Sequence, residues 1–424
     1  MNRRHALRAA AVATSLAASL SLALTGCSTK GGDSAGSTDK SGFRTGPGIT
    51  KDKINVGVLT DLSGPVAPLG KSALQAEQLY LKQVNAAGGV CGRSVELMVR
   101  DHGLDVQKAV SAYAEVEPQV AALGQLSGSA QTAALLDSIE KDKLQSFQIG
   151  ASGTVLGNPH LRLMASTYDI DMVNGVGFLV KAAKLKKGDK VGHVYIEGEY
   201  GGNAAEGAKY AASKAGLTLV SQTVKPTDKD LTAQVTALRA AGVKAIVFSG
   251  VPAQTASLVG VAAATGLKVP VLASAPAYVP QLLATPAKPA LEKMLYVASP
   301  WPALSVDDPS VKKLVVDYSQ AYPKDPVNQA AQAGNAAGSL LVGTLKAACE
   351  AKDLSREGIS KALRGLTAYS EGFHGPQNFS DPAKASSTKT YIAQPSAGVP
   401  GGLKQIQDAT EDPELAGYLA SNGH

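Results

Sequence analysis

Apolar and polar positions along the chain recur in a fixed rhythm, short apolar runs alternating with longer stretches of helical period. Residues 54–59 form a β-branched apolar run, a Gly/Pro loop follows, and 73–87 carry a helical pattern ended by Gly88-Gly89. Residues 94–100 predict the next strand, and Asp105 is placed to cap a helix reaching residue 120. A strand at 123–126, a helix at 130–141 and a strand at 145–149 continue the unit. A second series starts after Ser166, with helices at 171–185, 202–215, 231–241 and 255–265 set between strands at 191–196, 218–224, 245–249 and 269–273. A strand at 294–297, helices at 310–322, 329–350 and 355–366, and a last strand at 391–393 complete it. Strand-helix alternation of this kind predicts parallel sheets covered on both faces, an α/β chain of two doubly wound domains.

The N-terminus stands outside this rhythm. Arg3, Arg4 and Arg8 precede an apolar stretch over 9–24 and then small residues, the layout of a secretory signal peptide. That stretch is short for a membrane span. Leu24-Thr25-Gly26-Cys27 resembles the lipobox of bacterial lipoproteins. The resemblance implies that residues 1–26 are removed, that Cys27 is lipidated, and that the protein is held to the membrane outside the cytoplasm by its lipid. An ordinary secreted protein with a chance cysteine is the alternative. Residues 27–48, rich in Ser, Gly, Thr and Lys, read as a flexible tether.

Charge changes the picture once the signal is set aside. Removing residues 1–26 takes away three arginines and no acid, so Lys+Arg falls from 41 to 38 against 35 Asp+Glu and the formal charge falls from +6 to +3. A nearly balanced chain without a basic stripe has no footprint for nucleic acid. About 375 residues beyond the tether are enough for two cores. With Cys27 assigned to lipid, Cys91 and Cys349 remain as a pair able to form a disulfide in an oxidising compartment, two separately buried thiols being the alternative. The six histidines are scattered and no Cys-x-x-Cys occurs, so neither a metal nor a cofactor is expected.

In doubly wound sheets ligands sit beyond the carboxyl ends of the strands, which directs attention to four loops. Asp61-Leu62-Ser63-Gly64-Pro65 can bring Ser63 to a cleft or serve only as a turn. Ser127-Gly128-Ser129 precedes a helix whose N–H groups and two hydroxyls suit a carboxylate, with capping by Ser129 as the structural alternative. Gly150-Ala151-Ser152-Gly153-Thr154 lets a ligand approach the backbone, and Ser152 both donates and accepts. Glu197-Gly198-Glu199-Tyr200-Gly201 offers a ring and a hydroxyl in Tyr200, which could close over a ligand or stay exposed. Ser152 has no nucleophile-elbow spacing and no phosphate loop or dinucleotide fingerprint occurs, so the pattern reads as a site that holds a ligand without reacting with it.

The lipobox, Ile54-Asn55-Val56-Gly57-Val58-Leu59 with Leu62-Ser63-Gly64-Pro65, Gly70, Val84-Asn85-Ala86-Ala87-Gly88-Gly89-Val90 with Gly92-Arg93, and Tyr200-Gly201 together resemble the branched-chain amino-acid type of substrate-binding proteins of bacterial ABC importers. The resemblance implies a type I periplasmic-binding-protein fold: two doubly wound α/β lobes joined by three crossover segments. Lobe 1 would comprise residues 49–165 plus 300–382, and lobe 2 residues 166–299 plus 383–424. It implies a monomer that is not an enzyme, captures a small polar solute (amino acid, amide or small carboxylate) by lobe closure, and delivers it to an ABC permease. A ligand-sensing lipoprotein of the same fold, signalling to a membrane receptor, is the alternative. It also implies that Ser127, with backbone amides, holds a ligand carboxylate, and that Ala151, Ser152 and Tyr200 surround an amino group; Ser129 joins the candidate binding residues from the loop reading above. Where such binders carry a glutamate, this chain reads Ser274-Ala275-Pro276-Ala277-Tyr278. Glu197 or Glu199 then substitutes, or the ligand is not a simple α-amino acid, Pro252 and Tyr278 forming a flatter, less polar wall.

Overall fold

The computed structural model describes residues 37–39, 42–150 and 152–422, so the signal peptide, Cys27 and Ala151 lie outside the described residues. The first series folds as β1 (Lys53–Thr60), α1 (Ala67–Ala86), β2 (Ser94–Asp101), α2 (Val106–Val116), β3 (Ala122–Ser127), α3 (Ser129–Ala133), α4 (Leu136–Asp142), β4 (Ser146–Ile149) and β5 (Leu161–Leu163). These strands make one parallel sheet in the order β2-β1-β3-β4-β5. Asp105 caps α2 as expected, its Oδ1 accepting from the Lys108 amide at 2.9 Å. The expected helix over 130–141 is instead two short helices with a break at Ala134-Leu135. Helix α1 starts earlier than its apolar pattern, because Pro68 suits a first turn where its missing N–H has no partner to lose.

The second series gives α5 (Tyr168–Ala182), β6 (Lys190–Ile196), α6 (Glu199–Lys214), β7 (Thr218–Val224), α7 (Thr232–Ala241), β8 (Ala245–Ser249), α8 (Pro252–Ala264), β9 (Val271–Ser274), α9 (Lys288–Met294) and β10 (Leu295–Ser299). The chain then returns to the first sheet with α10 (Pro309–Ala321), α11 (Ala330–Glu350) and α12 (Arg356–Arg364). It goes back once more to add β11 (Thr390–Pro395) and β12 (Leu403–Thr410) to the second sheet, ending in α13 (Leu415–Asn422). That sheet runs β12-β11-β10-β9-β8-β6-β7, parallel except at β11 and β12. The chain therefore passes between the two sheets three times. Strand β12 and helix α13 were not expected: β12, at a sheet edge, is buried only at Leu403, alternates half-buried and exposed positions after it and is mostly polar, so it lacks an apolar signal.

Each lobe buries its own core. In lobe 1, α11 packs along α1 so closely that a Cβ on Gly334 would collide with the Ala73 carbonyl. Ile54, Val56, Leu340, Leu341 and Leu345 fill the space beneath them. In lobe 2, β8 is buried along its whole length, as a central parallel strand requires.

Part of the expected tether is docked. Arg44–Thr45 pairs with Asp353–Leu354, Asp39 meets Nη2 of buried Arg93 at 2.7 Å, and the Arg93 guanidinium lies 5.1 Å from the Phe43 ring centre. Local composition hides this, because the partners lie far along the chain and a buried guanidinium needs a counter-charge. Nearby, Cys91 and Cys349 are joined, with Cα atoms 6.3 Å apart, tying the end of the α1 turn to α11.

Candidate functional site

Between the lobes lies a cavity of about 270 Å³ to which both sheets contribute at their carboxyl ends. The lobes touch around it. Gly153 N–H donates to Asn203 Oδ1 at 3.0 Å, Thr154 Oγ1 to Glu199 Oε2 at 2.8 Å, and Gln329 Nε2 to the Ala275 carbonyl at 2.6 Å. Leu69, from α1, packs on the core of lobe 2. One crossover is fastened at Asp171, whose Oδ1 accepts from Ser166 at 2.6 Å and from Thr390, at the third crossing, at 2.7 Å. Burial pushes the Asp171 carboxyl up to about 7, against the pull of those two donors.

Of the expected site residues, Ser127, Ser129 and Tyr200 line the cavity. Ser127 is held from behind: its hydroxyl donates to Thr60 Oγ1 at 3.1 Å and stands 3.5 Å from His102 Nε2. Burial keeps the His102 imidazole below its ordinary range and therefore neutral. Ser129 is not the helix cap. Gly128, at φ +88°, occupies that position without a side-chain bond, and the buried Ser129 Oγ has no partner. The Tyr200 ring faces the cavity and packs on Tyr168 with centres 4.6 Å apart. Its hydroxyl is turned away, bonded to Ser274 Oγ and donating to the Gly250 carbonyl at 3.2 Å.

Two expected residues are not among those lining the cavity. Ser152 is fully buried and caps its own short turn, its Oγ bonded to Thr154 Oγ1 at 2.8 Å. Tyr278 is buried in the core of lobe 2 and donates to the Gly402 carbonyl at 2.6 Å, since a phenol hydroxyl in an apolar core takes the nearest carbonyl. Pro252 and Ser63 do not line it either, whereas Asp61 does, its carboxylate accepting from the amides of Ser63, Gly64 and Val66. Glu197 and Glu199 stand at the rim.

Sequence reasoning missed Gln125 and Gln148. Both line the cavity and are at most 1 % exposed; Gln148 Nε2 and Oε1 and Gln125 Oε1 have no partner. A glutamine inside an apolar strand run, as in Phe147-Gln148-Ile149, is the signal that could have found them. The rest of the wall is largely apolar, including Leu69, Ile149, Ile196, Val251, Pro276 and Trp301, the chain's single tryptophan. Among the described residues no lysine, arginine or histidine lines it, and the loop where an acid was sought contributes Ala275 and Pro276. Among the described residues, no group of three His, Cys, Asp or Glu side chains could hold a metal.

Two doubly wound lobes, three crossings and a ligand-sized cavity in the cleft make up the type I periplasmic-binding architecture. The chain belongs to the periplasmic binding protein family, whose model matches residues 53–399. A fatty acid ABC transporter substrate-binding protein from Thermomonospora curvata is 44% identical, with a TM-score of 0.88 over 91% of this chain and 98% of that one. A branched chain amino acid ABC transporter protein from Thermus thermophilus, solved with bound valine, shares the fold at 20% identity, with a TM-score of 0.77 over 87% of this chain and 100% of that one. A Leu/Ile/Val-binding protein homolog from Brucella melitensis is 28% identical over 47% of this chain and 55% of its own length. The chain thus spans about half the length of the curated relatives it matches.

Proposed function

We propose that this protein is the extracytoplasmic binding component of an ABC importer and captures an acyl compound with one small polar head, a medium-chain fatty acid or its amide, by lobe closure. The observation that carries this reading is the composition of the wall: a largely apolar cavity with no cation among the described residues and, at the lobe 2 loop, Ala275 and Pro276 instead of a carboxylate. A buried α-ammonium needs an acceptor charge, which that loop does not supply; of the cavity's acids, Asp61 is taken up by three backbone amides, Asp171 by Ser166 and Thr390, and Glu197 and Glu199 stand at the rim. The head meets Ser129 and Gln148, with Ser127 behind them, and the chain lies against Leu69, Val251, Pro276 and Trp301. The 44% identical Thermomonospora curvata protein supports a fatty acyl ligand. The cavity sits near the lower edge of small-molecule sites, which begin at roughly 300 Å³, and so favours a short acyl chain. Lobe closure holds because both walls contact one ligand. The loaded form is handed to a membrane permease, and Cys27 carries the lipid that keeps the protein at the membrane.

Isothermal titration of the full-length protein with leucine, octanoate and octanamide tests the ligand. Binding of either acyl compound with leucine silent supports the reading, and binding of leucine alone overturns it. Cys27→Ala is expected to move the protein from the membrane to the soluble fraction, and unchanged fractionation would remove the lipid from the account.

A further inference from the structure

We infer that the head of the ligand is bound uncharged, as a protonated carboxylic acid or a primary amide, through a two-point pair with the side-chain amide of Gln148. This rests on the acyl-ligand reading above. Gln148 is 1 % exposed, lines the cavity, and leaves both its donor and its acceptor unpartnered. A side-chain amide with both edges free matches a group that likewise offers one donor and one acceptor side by side, which a carboxylic acid or a primary amide does and a carboxylate does not. Whichever way the amide is turned, one atom donates and the other accepts.

The neighbours agree. Ser129 Oγ adds a hydroxyl and Gln125 Oε1 an acceptor, both buried and without partners, so an anion would face acceptor oxygens it cannot satisfy. Among the described residues no cation lines the cavity to neutralise one. The titratable groups facing the site are Asp61 from the β1 loop, Tyr168 and Asp171 from α5, Glu197 from the β6–α6 loop, and Glu199 and Tyr200 from the start of α6. Behind the wall stand His102, next to Ser127, and Glu77 of α1, beside Gly124. The facing groups are all acids, and none of them favours a second negative charge.

The experiment is a titration of full-length protein with octanoic acid and with octanamide from pH 5.5 to 7.5, followed by Trp301 emission. A free carboxyl titrates near pH 4 to 5, so binding only its neutral form should raise the apparent Kd for octanoic acid close to tenfold per pH unit. Octanamide should stay within about threefold over that range, which also removes any effect of the protein's own acids. A Kd for octanoic acid that is flat with pH, or tighter than that of octanamide at pH 7.5, overturns the inference and leaves the acyl reading standing. Binding of neither compound at any pH overturns both. Gln148→Leu should weaken octanamide at least tenfold. It should leave the unliganded melting temperature unchanged or higher, because it removes a buried amide without partners; unchanged octanamide affinity in a folded variant overturns the role of Gln148.

Discussion

The two walls of the cleft differ in what their polar groups are doing. On the lobe 1 side, Ser129, Gln148 and Gln125 present polar atoms that nothing in the protein satisfies. On the lobe 2 side, the Tyr200 hydroxyl is bonded to Ser274 and Gly250, and the adjoining surface is Ile196, Val251, Ala275 and Pro276. Buried polar atoms without partners are rare in folded proteins, and a cluster of them on one wall marks where a ligand completes the hydrogen bonding. In the proposed reading the difference gives the ligand a direction: head to Gln148 and Ser129 of lobe 1, apolar chain between Leu69 and Trp301 and the lobe 2 surface of Val251 and Pro276, with closure bringing the second wall onto the first.

The largest expected effect comes from erasing that contrast. Ala275→Glu would put a carboxylate into the apolar wall, where an unpaired charge costs about 3–5 kcal/mol. Octanamide affinity is expected to fall about a thousandfold by isothermal titration, and an unaffected Kd would mean that lobe 2 does not meet the chain. A second variant leaves both walls alone. Removing the disulfide with Cys91→Ser and Cys349→Ser, which opens a loop of 258 residues, is expected to lower unfolding stability by about 2–4 kcal/mol without moving ligand affinity.

Behind the lobe 1 wall, Glu77 is fully buried with both carboxyl oxygens unpartnered, and burial pushes it up to about 8. A carboxyl raised on folding stabilises while protonated, so stability is expected to fall as the pH rises from about 4.5 through 8. Glu77→Gln should flatten that slope by on the order of 2 kcal/mol, measured by denaturant unfolding at pH 5 and pH 8. The slope left in the variant combines Asp171, which loses stability between about 3.8 and 7, with buried histidines such as His102 and His193, which are held below their ordinary range and so gain stability as the pH rises. The smallest effect is on the lobe 2 wall itself. Tyr200→Phe keeps the ring and loses a hydroxyl already engaged within its own lobe, so it should cost about 1 kcal/mol of stability and change affinity less than threefold.

The alternation of apolar runs and helical stretches was enough to place most strands and helices to within a few residues, because central parallel strands are apolar on both faces. It failed where the decisive partner is remote. Arg44–Thr45 is ordered by Asp353–Leu354, over 300 residues away, and β12 sits at an edge with little apolar signal. At the site, reading the loops after strands brought Ser127, Ser129 and Tyr200 to the cavity but could not tell which hydroxyls were already bonded. Gln125 and Gln148 lie within strands and so escaped a search of loops, and Tyr278 followed its loop into the core.

The most direct test of the opposed walls is a crystal structure with 8-bromooctanamide, the anomalous signal of bromine locating the end of the chain. The account predicts the amide head against Gln148 and Ser129 and the bromine against Val251 and Pro276. Bromine beside Gln148, with the head turned toward Tyr200, would contradict it.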